Sequence, residues 1–121
     1  MAPEVFRHEG YTEKVDVYSW SMILYNMLTG HSPFSYLDGL SACKAAAIKG
    51  ERPATASIPG SVAPKLRELL ASAWDGTASK RPPFSAVLEM LNEVHVTAFK
   101  VTVEHESFRQ RPKQGKSCSI Q

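Results

Sequence analysis

The stretch VDVYSWSMILYNML, residues 15–28, decides the fold of this chain. Its apolar residues surround a helical wheel and do not form a single stripe, which is typical of a helix enclosed by protein on every side. Asp16 near its start can accept hydrogen bonds from free N–H groups and suits the helix dipole, and Gly30 supplies a C-terminal stop. The sequence therefore predicts a central, buried helix.

Three further helices are predicted on either side of polar loops. Good helix formers ending at Gly50 indicate a helix across about residues 35–49. Leucines at helical spacing indicate another across about residues 62–74, and a proline start indicates a last one across about residues 83–95. The predicted core face of the last helix consists of Val87, Leu88, Leu91 and Val94. We expect an all-α fold.

The end of the chain differs from the rest in composition. Residues 97–108 are consistent with a short extended segment, and residues 109–121 are polar, basic and predicted to be disordered. The formal net charge is +2, but the last fifteen residues hold four cations and no acid, which leaves a net charge of −2 on residues 1–106. A mildly acidic body argues against a nucleic-acid-binding domain, so no nucleic-acid partner is expected.

Composition also bears on metals, membranes and compartment. The 121 residues have room for one domain. The two cysteines, Cys43 and Cys118, lie far apart and show no zinc spacing, and the four histidines show none either. No signal peptide or membrane-spanning run is present in these residues. We expect no metal site and a cytoplasmic setting.

Several motifs, taken in order, resemble the back half of a protein kinase catalytic domain. The A-P-E motif that closes the kinase activation segment is matched first, and its companions follow over matching gaps. Together they are similar to the tyrosine-kinase-like group of Ser/Thr kinases. The matching residues are Ala2-Pro3-Glu4, Asp16-Val17-Tyr18-Ser19-Trp20, Gly30, Pro33-Phe34, Gly50-Glu51-Arg52-Pro53, Trp74 and Arg81-Pro82-Pro83-Phe84.

The resemblance implies a helical fragment of the large lobe of the bilobal protein kinase fold. It covers residues 1–96, from the end of the activation segment to the last helix, and leaves residues 97–121 as a basic flexible tail. Three places depart from the family pattern: Ser21 stands where Gly is usual, Asn26 where an acid is common, and Thr77-Ala78 where Asp-Pro is typical.

The resemblance assigns structural roles to several positions. Glu4 and Arg81 correspond to a buried pair that ties the end of the activation segment to the last loop, and a guanidinium suits a carboxylate bidentately. Asp16 corresponds to the residue that holds the catalytic loop, and Trp74 to a core aromatic. Ala2 and Pro3 complete the motif with Glu4. A further group of cations, predicted to form a solvated face, consists of Lys44, Lys49 and Arg52.

The elements that perform phosphoryl transfer do not occur in these residues. The chain contains no G-x-G-x-x-G, no V-A-I-K, no H-R-D and no D-F-G. Because related kinases commonly carry Met directly before A-P-E, we expect Met1 to be an internal residue of a longer kinase. ATP and Mg²⁺ are expected to bind the parent kinase, which acts on protein substrates. The chain alone is predicted to be inactive, to contain no catalytic residue and to need the missing upstream kinase residues as its partner.

The last four residues, Cys118-Ser119-Ile120-Gln121, fit a C-a-a-X box that favours farnesyl transfer. A single lipid anchors weakly, and the upstream cations would add attraction to an anionic leaflet. Cys118 is therefore a lipidation candidate at the cytosolic face of a membrane. The alternative function for the whole chain is a non-catalytic, membrane-tethered interaction module, either a truncated kinase or a pseudokinase.

Overall fold

The structure is a computed structural model that describes residues 1–107, with side chains described for residues 1–95. Its five helices are α1 (Pro3–Phe6), α2 (Lys14–Thr29), α3 (Gly39–Ala47), α4 (Pro64–Ala73) and α5 (Phe84–Ser107). Two short 3₁₀ turns lie at Thr55–Ser57 and Ala78–Lys80. No strand occurs within residues 1–107, so the predicted all-α class is confirmed.

Helix α2 coincides with the predicted central helix to within a residue at each end. Its C-cap, Gly30, adopts the left-handed conformation, with φ of 73°, and donates its N–H to Asn26 O at 2.8 Å. A residue with a β-carbon resists this conformation, which is why glycine ends the helix here.

Helix α3 is shorter than predicted because local chemistry delays its start. Asp38 is the N-cap, and its carboxylate accepts a hydrogen bond from the Ser41 N–H at 3.0 Å. Phe34 has a φ of 54°, which is a left-handed conformation typical of a turn and not of the start of an α-helix. The loop before Asp38 is therefore part of a turn and not part of the helix.

Helix α5 differs most from the prediction. The extended segment predicted for residues 97–108 is wrong over residues 97–107, which continue α5 to Ser107. Leu88 was placed on the core face, but it is 59% exposed while Val87 is 3% exposed. One residue turns a helix by about 100°, so Leu88 points away from the stripe that contains Val87, Leu91 and Val94. The predicted disorder of residues 109–121 lies outside the described residues.

Helix α1 packs on α3, and α4 packs on both α2 and α5. The larger apolar cluster joins the first helix, the centre of α2 and the end of α4. A second, smaller cluster surrounds Phe34 and lies against α3. The buried members of the larger cluster are Ala2, Tyr18, Leu24, Tyr25, Ile58, Leu70 and Trp74.

Candidate functional site

The Arg81 side chain lies at the centre of the most polar part of the interior. It follows the second 3₁₀ turn in extended conformation and is 1% exposed. Its Nη1 donates to Glu4 Oε1 at 2.7 Å and its Nη2 donates to Glu4 Oε2 at 2.9 Å. The structure thus brings together two residues separated by 77 positions in a bidentate, buried ion pair.

The remaining donors of Arg81 bind backbone carbonyls. Its Nε donates to Asp75 O at 2.8 Å and its Nη1 also donates to Lys14 O at 3.1 Å. Buried charge is stable only when it is paired and hydrogen-bonded, and both conditions hold here. One side chain therefore links α1, the start of α2 and the loop that follows α4.

The electrostatics of the pair favour its charged form. Hydrogen bonds from Arg81 lower the pKa of Glu4 below its usual range, although burial acts in the opposite direction. Glu4 is consequently ionised at neutral pH, and its carboxylate remains a full partner for the guanidinium. Lys14 adds a further link, because its Nζ donates to Arg81 O.

Tyr18 extends this network into the apolar core. The Cζ atom of Arg81 lies 5.0 Å from the centre of the Tyr18 ring, and the Cζ atom of Arg52 lies 5.2 Å from it. Both distances are typical of cation–π contacts. The Arg52 Nε also donates to Trp74 O at 2.7 Å, and its Nη1 donates to Ala46 O at 3.3 Å.

The prediction that Arg52 belongs to a solvated face is therefore wrong. Its guanidinium donates to backbone carbonyls on α3 and at the end of α4 and lies over an aromatic ring. These contacts compensate for the loss of its hydrogen bonds to water. Lys44 and Lys49 are exposed, as predicted. The G-E-R-P match was the available signal for Arg52, whereas nothing in the pattern of α2 singled out Tyr18 from its apolar neighbours.

The other residues of the predicted kinase motif occupy different environments. Ala2 and Pro3 are buried at the start of α1, where Pro3 takes a first-turn position. Trp74 is 6% exposed, and its ring lies 6.1 Å from that of Tyr25. Asp16 is exposed in the first turn of α2, and no hydrogen bond to its carboxylate occurs within residues 1–95. Cys118 lies outside the described residues.

Ser21 shows how one departure from the family pattern is accommodated. It is fully buried on α2, and its Oγ donates to Tyr18 O at 2.5 Å. A serine hydroxyl that bonds backward along its own helix satisfies its polarity without an external partner. The position normally held by glycine therefore tolerates serine without leaving a buried polar atom unpaired.

One side of α2 remains apolar and uncovered. Ile23 is 59% exposed and Met27 is 75% exposed, and they lie one turn apart on the same face. Trp20 continues this face toward α5, where its ring meets Phe84 edge-on at 6.3 Å. Phe84 is 45% exposed, so the apolar surface extends across both helices. This surface, called the open face below, consists of Trp20, Ile23, Met27, Phe84 and Leu88.

The residues present do not fit a nucleotide and magnesium site. Within residues 1–95 no three His, Cys, Asp or Glu side chains lie close enough to hold a metal ion, and the chain contains none of the phosphate-binding motifs of kinases. The same part of the chain includes no helix long and apolar enough to cross a bilayer. The chemistry of this site is ion pairing and packing.

Comparison of the sequence with known proteins identifies its family. The model of the protein tyrosine and serine/threonine kinase family matches residues 1–91. The chain is 43% identical over 94 residues to serine/threonine-protein kinase STY17 of Arabidopsis thaliana, covering 78% of this chain and 16% of that protein. It is 42% identical over 97 residues to serine/threonine-protein kinase VIK of the same plant, covering 80% of this chain and 22% of that protein.

A third relative carries a broader description. The serine/threonine/tyrosine-protein kinase HT1 of Arabidopsis thaliana is 39% identical over 93 residues, which cover 77% of this chain and 23% of that protein. The chain thus spans less than a quarter of the length of each of these three relatives. The ordered motifs, the Glu4–Arg81 pair and these matches agree, and the chain belongs to the protein tyrosine and serine/threonine kinase family.

Proposed function

We propose that the protein containing this chain transfers the γ-phosphate of ATP to Ser or Thr side chains of protein substrates in signal transduction. The names of two relatives, both serine/threonine-protein kinases, support Ser and Thr as acceptors, and the name of the third adds Tyr. ATP and Mg²⁺ bind elements of the parent kinase that these 121 residues do not include. The isolated chain neither binds ATP nor transfers phosphate.

The observation that carries this proposal is the buried Glu4–Arg81 pair. By the resemblance, Glu4 closes the activation segment, so its position determines where that segment ends. Arg81 holds the Glu4 carboxylate through two hydrogen bonds and joins it to the start of α2 and to the loop after α4. Residues 1–96 therefore act as a structural base that positions the activation segment.

The open face supports a partner within the kinase domain. Monomeric proteins rarely leave several large apolar side chains exposed side by side. Met27 and Ile23 are more than half exposed, although both lie in the second half of the largely apolar helix α2. The occupant we propose is the upstream part of the kinase domain, since the chain matches only a fraction of each relative.

Phosphoryl transfer by the complete gene product tests this function. We expect the complete protein to incorporate labelled phosphate from ATP into Ser and Thr of a generic protein substrate, and the 121-residue chain to incorporate none. Arg81→Ala in the complete protein should lower both activity and melting temperature, whereas Lys65→Ala, which removes an exposed ion pair, should leave both nearly unchanged. A complete protein that neither binds Mg·ATP nor transfers phosphate would contradict the proposal.

A second candidate function rests on the Cys118-Ser119-Ile120-Gln121 pattern. In this alternative the chain is a non-catalytic module that a farnesyl group on Cys118 tethers to the cytosolic face of a membrane. The four cations of the tail add roughly 1 kcal/mol each near an anionic leaflet. They are Arg109, Arg111, Lys113 and Lys116.

Fractionation of eukaryotic cells decides whether the lipid is present. We expect the protein to collect with membranes, and Cys118→Ser to release it into the cytoplasm. Mass spectrometry of the C-terminal peptide should show the farnesyl mass on Cys118. Equal distribution of the two forms, or an unmodified cysteine followed by further residues, would remove the lipid from the account.

A further inference from the structure

The chain contains two Asp-Gly dipeptides, Asp38-Gly39 and Asp75-Gly76. In such a pair the glycine has no β-carbon to hinder the approach of its amide nitrogen to the aspartate side chain. That approach closes a five-membered ring, and ring closure gains from the closeness of the two reacting groups. The structure gives the two pairs different surroundings, so their reactivity should differ as well.

Asp75-Gly76 lies in the loop between α4 and the second 3₁₀ turn. Gly76 is exposed and Asp75 is partly buried. The Asp75 Oδ1 atom accepts a hydrogen bond from the Thr77 N–H at 2.7 Å. Because this bond closes a turn around Gly76, it holds the carboxyl group beside the backbone of Gly76. Solvent therefore reaches the glycine, and the carboxyl group is already folded toward it.

Two guanidinium groups lie near the peptide bond that joins Asp75 to Gly76. Arg81 Nε donates to Asp75 O, the carbonyl oxygen of that bond, at 2.8 Å. Arg52 Nη2 lies 3.5 Å from the position that a β-carbon on Gly76 would occupy. When an amide nitrogen loses its proton, the carbonyl oxygen of the same peptide bond shares the negative charge. A cation bound to that oxygen stabilises the charge, as the donors of an oxyanion hole do.

Asp38-Gly39 is held in a conformation that opposes the same reaction. The Asp38 carboxylate caps α3 and accepts hydrogen bonds from the Ser41 N–H at 3.0 Å and from the Ser41 hydroxyl at 2.6 Å. These bonds lower the pKa of Asp38, so the protonated carboxyl, whose OH can leave as water, is rarer there. Gly39 is the first residue of α3, and ring closure at its nitrogen would break the cap.

We propose that Asp75-Gly76 is a site of spontaneous isoaspartate formation, which the guanidinium groups of Arg81 and Arg52 promote. The Gly76 nitrogen attacks Asp75 Cγ and a carbon–nitrogen bond forms. The carboxyl OH leaves as water with the proton that the Gly76 N–H gives up. Water then opens the cyclic imide: attack at Cγ restores aspartate, and attack at the backbone carbonyl carbon gives isoaspartate. Arg81 polarises that backbone carbonyl and so favours isoaspartate.

Isoaspartate at residue 75 changes both the anchor and the surface. The backbone gains one methylene group, which displaces the carbonyl that Arg81 Nε binds. The backbone carbonyl of residue 75 becomes a free carboxylate, which is the group that isoaspartate-specific carboxyl methyltransferases modify. The reaction uses neither ATP nor the elements that transfer phosphate, so its success or failure is independent of the kinase activity of the complete protein.

The rates of isoaspartate formation at the two pairs test the proposal. The 121-residue chain would be kept at neutral pH below its unfolding temperature, and isoaspartate at residues 38 and 75 measured over time by enzymatic carboxyl methylation and peptide mapping. The ratio of the rate at residue 75 to that at residue 38 is divided by the same ratio in synthetic peptides of residues 71–80 and 34–42. Charge-assisted hydrogen bonding at the reacting peptide bond should raise this normalised ratio to about ten.

Matched arginine variants identify the source of the effect. Arg52→Gln removes the cation beside Gly76 and should lower the normalised ratio severalfold. Arg67→Gln makes the same change at an arginine that donates to Ile58 O and Pro59 O instead, and it should leave the ratio high. Circular dichroism checks that each variant keeps its helices. A normalised ratio near one in the parent chain, or a high ratio that survives Arg52→Gln, would overturn the proposal.

A measurement of the products in the parent chain keeps the proposal testable if Arg52→Gln fails to fold. In water enriched in oxygen-18, every ring opening adds one heavy oxygen, so both products at residue 75 are counted. Because Arg81 polarises the backbone carbonyl, the isoaspartate share should be larger in the folded chain than in the peptide of residues 71–80. An equal or smaller share in the folded chain would overturn the role of the guanidinium groups.

Discussion

Helix α2 has one side that is buried and another that is exposed to solvent. On one side Val17, Tyr18 and Ser21 are at most 1% exposed, and Arg52 and Arg81 close over the Tyr18 ring. On the other side Ile23 and Met27 are largely exposed. The exposed side is at least as apolar as the covered side, which includes Ser21, so hydrophobicity alone does not decide which side is covered. The difference lies in the residues that arrive from elsewhere in the chain.

The covered side depends on long-range polar contacts as much as on apolar packing. Arg81 lies 77 residues after Glu4, and its four hydrogen bonds connect three segments: two reach Glu4 in α1, one reaches Lys14 O at the start of α2 and one reaches Asp75 O after α4. Within residues 1–95, no side chain from a distant segment covers Ile23 and Met27 in this way. The open face is thus the counterpart of the anchored face, and the occupant that we propose for it is the upstream part of the kinase domain.

The largest expected effect comes from removing the anchor. Arg81→Ala leaves the Glu4 carboxylate buried without its partner and frees the carbonyls of Asp75 and Lys14. We expect a loss of about 3 to 5 kcal/mol in the free energy of unfolding, measured by urea denaturation with circular dichroism. Lys65→Ala, at an exposed ion pair, should cost less than about 1 kcal/mol. Equal effects of the two variants would remove the distinction between anchored and surface charge.

A smaller effect is expected from the ring that both guanidinium groups contact. Tyr18→Leu removes the cation–π contacts and leaves a void, which should cost about 2 to 4 kcal/mol. Tyr18→Phe should change stability by less than about 1 kcal/mol, because the hydroxyl has no partner to lose. Urea titrations of both variants make the comparison. A Phe variant as unstable as the Leu variant would show that the hydroxyl, not the ring, holds the network.

The pH dependence of stability tests the Glu4–Arg81 pair in a second way. Hydrogen bonding to Arg81 lowers the pKa of Glu4 in the folded state, so its contribution is fully present above the unfolded pKa and is lost as pH falls through the folded pKa. The stability difference between the parent and Glu4→Gln should therefore stay constant above about pH 6 and shrink below it. Other acids, such as Glu9, cancel in this difference. A difference that grows on acidification would contradict the assignment.

The smallest expected effect belongs to the open face. Ile23→Gln and Met27→Gln should change the unfolding free energy of the 121-residue chain by less than about 0.5 kcal/mol, because neither side chain leaves a core. They should also reduce self-association in sedimentation velocity. Leu24→Gln, between them on the covered side, should cost about 2 kcal/mol or more. Similar losses at positions 23 and 24 would mean that both sides of α2 are covered in solution.

Local chemistry made part of this fold predictable. The bounds of α2 and its stop at Gly30 follow from apolar content and glycine geometry. The start of α3 was set too early because Asp38 as a cap competes with the good helix formers around it. The continuation of α5 to Ser107 was missed because β-branched residues near positions 101–103 favour an extended segment on propensity alone.

The site was predictable only where a family pattern named its residues. Glu4 and Arg81 were paired by resemblance, since no periodicity relates positions 77 apart, and the structure shows them in contact. Arg52 was placed in solvent because a cation in a loop is usually solvated. Two of its three carbonyl partners, Trp74 O and Ala46 O, lie in other segments, and the third is the neighbouring Glu51 O. Asp16 has no partner of its own within residues 1–95, and its role at the catalytic loop remains a prediction.

A double-mutant cycle between Glu4 and Arg81 tests the central claim most directly. The parent, Glu4→Gln, Arg81→Ala and the double variant would be unfolded in urea at pH 7, and the interaction energy obtained from the four free energies. A buried bidentate pair that anchors α1 to the loop before α5 predicts a coupling of about 2 kcal/mol or more. A coupling below about 0.5 kcal/mol would show that the two residues act independently and that the anchor does not hold the fold.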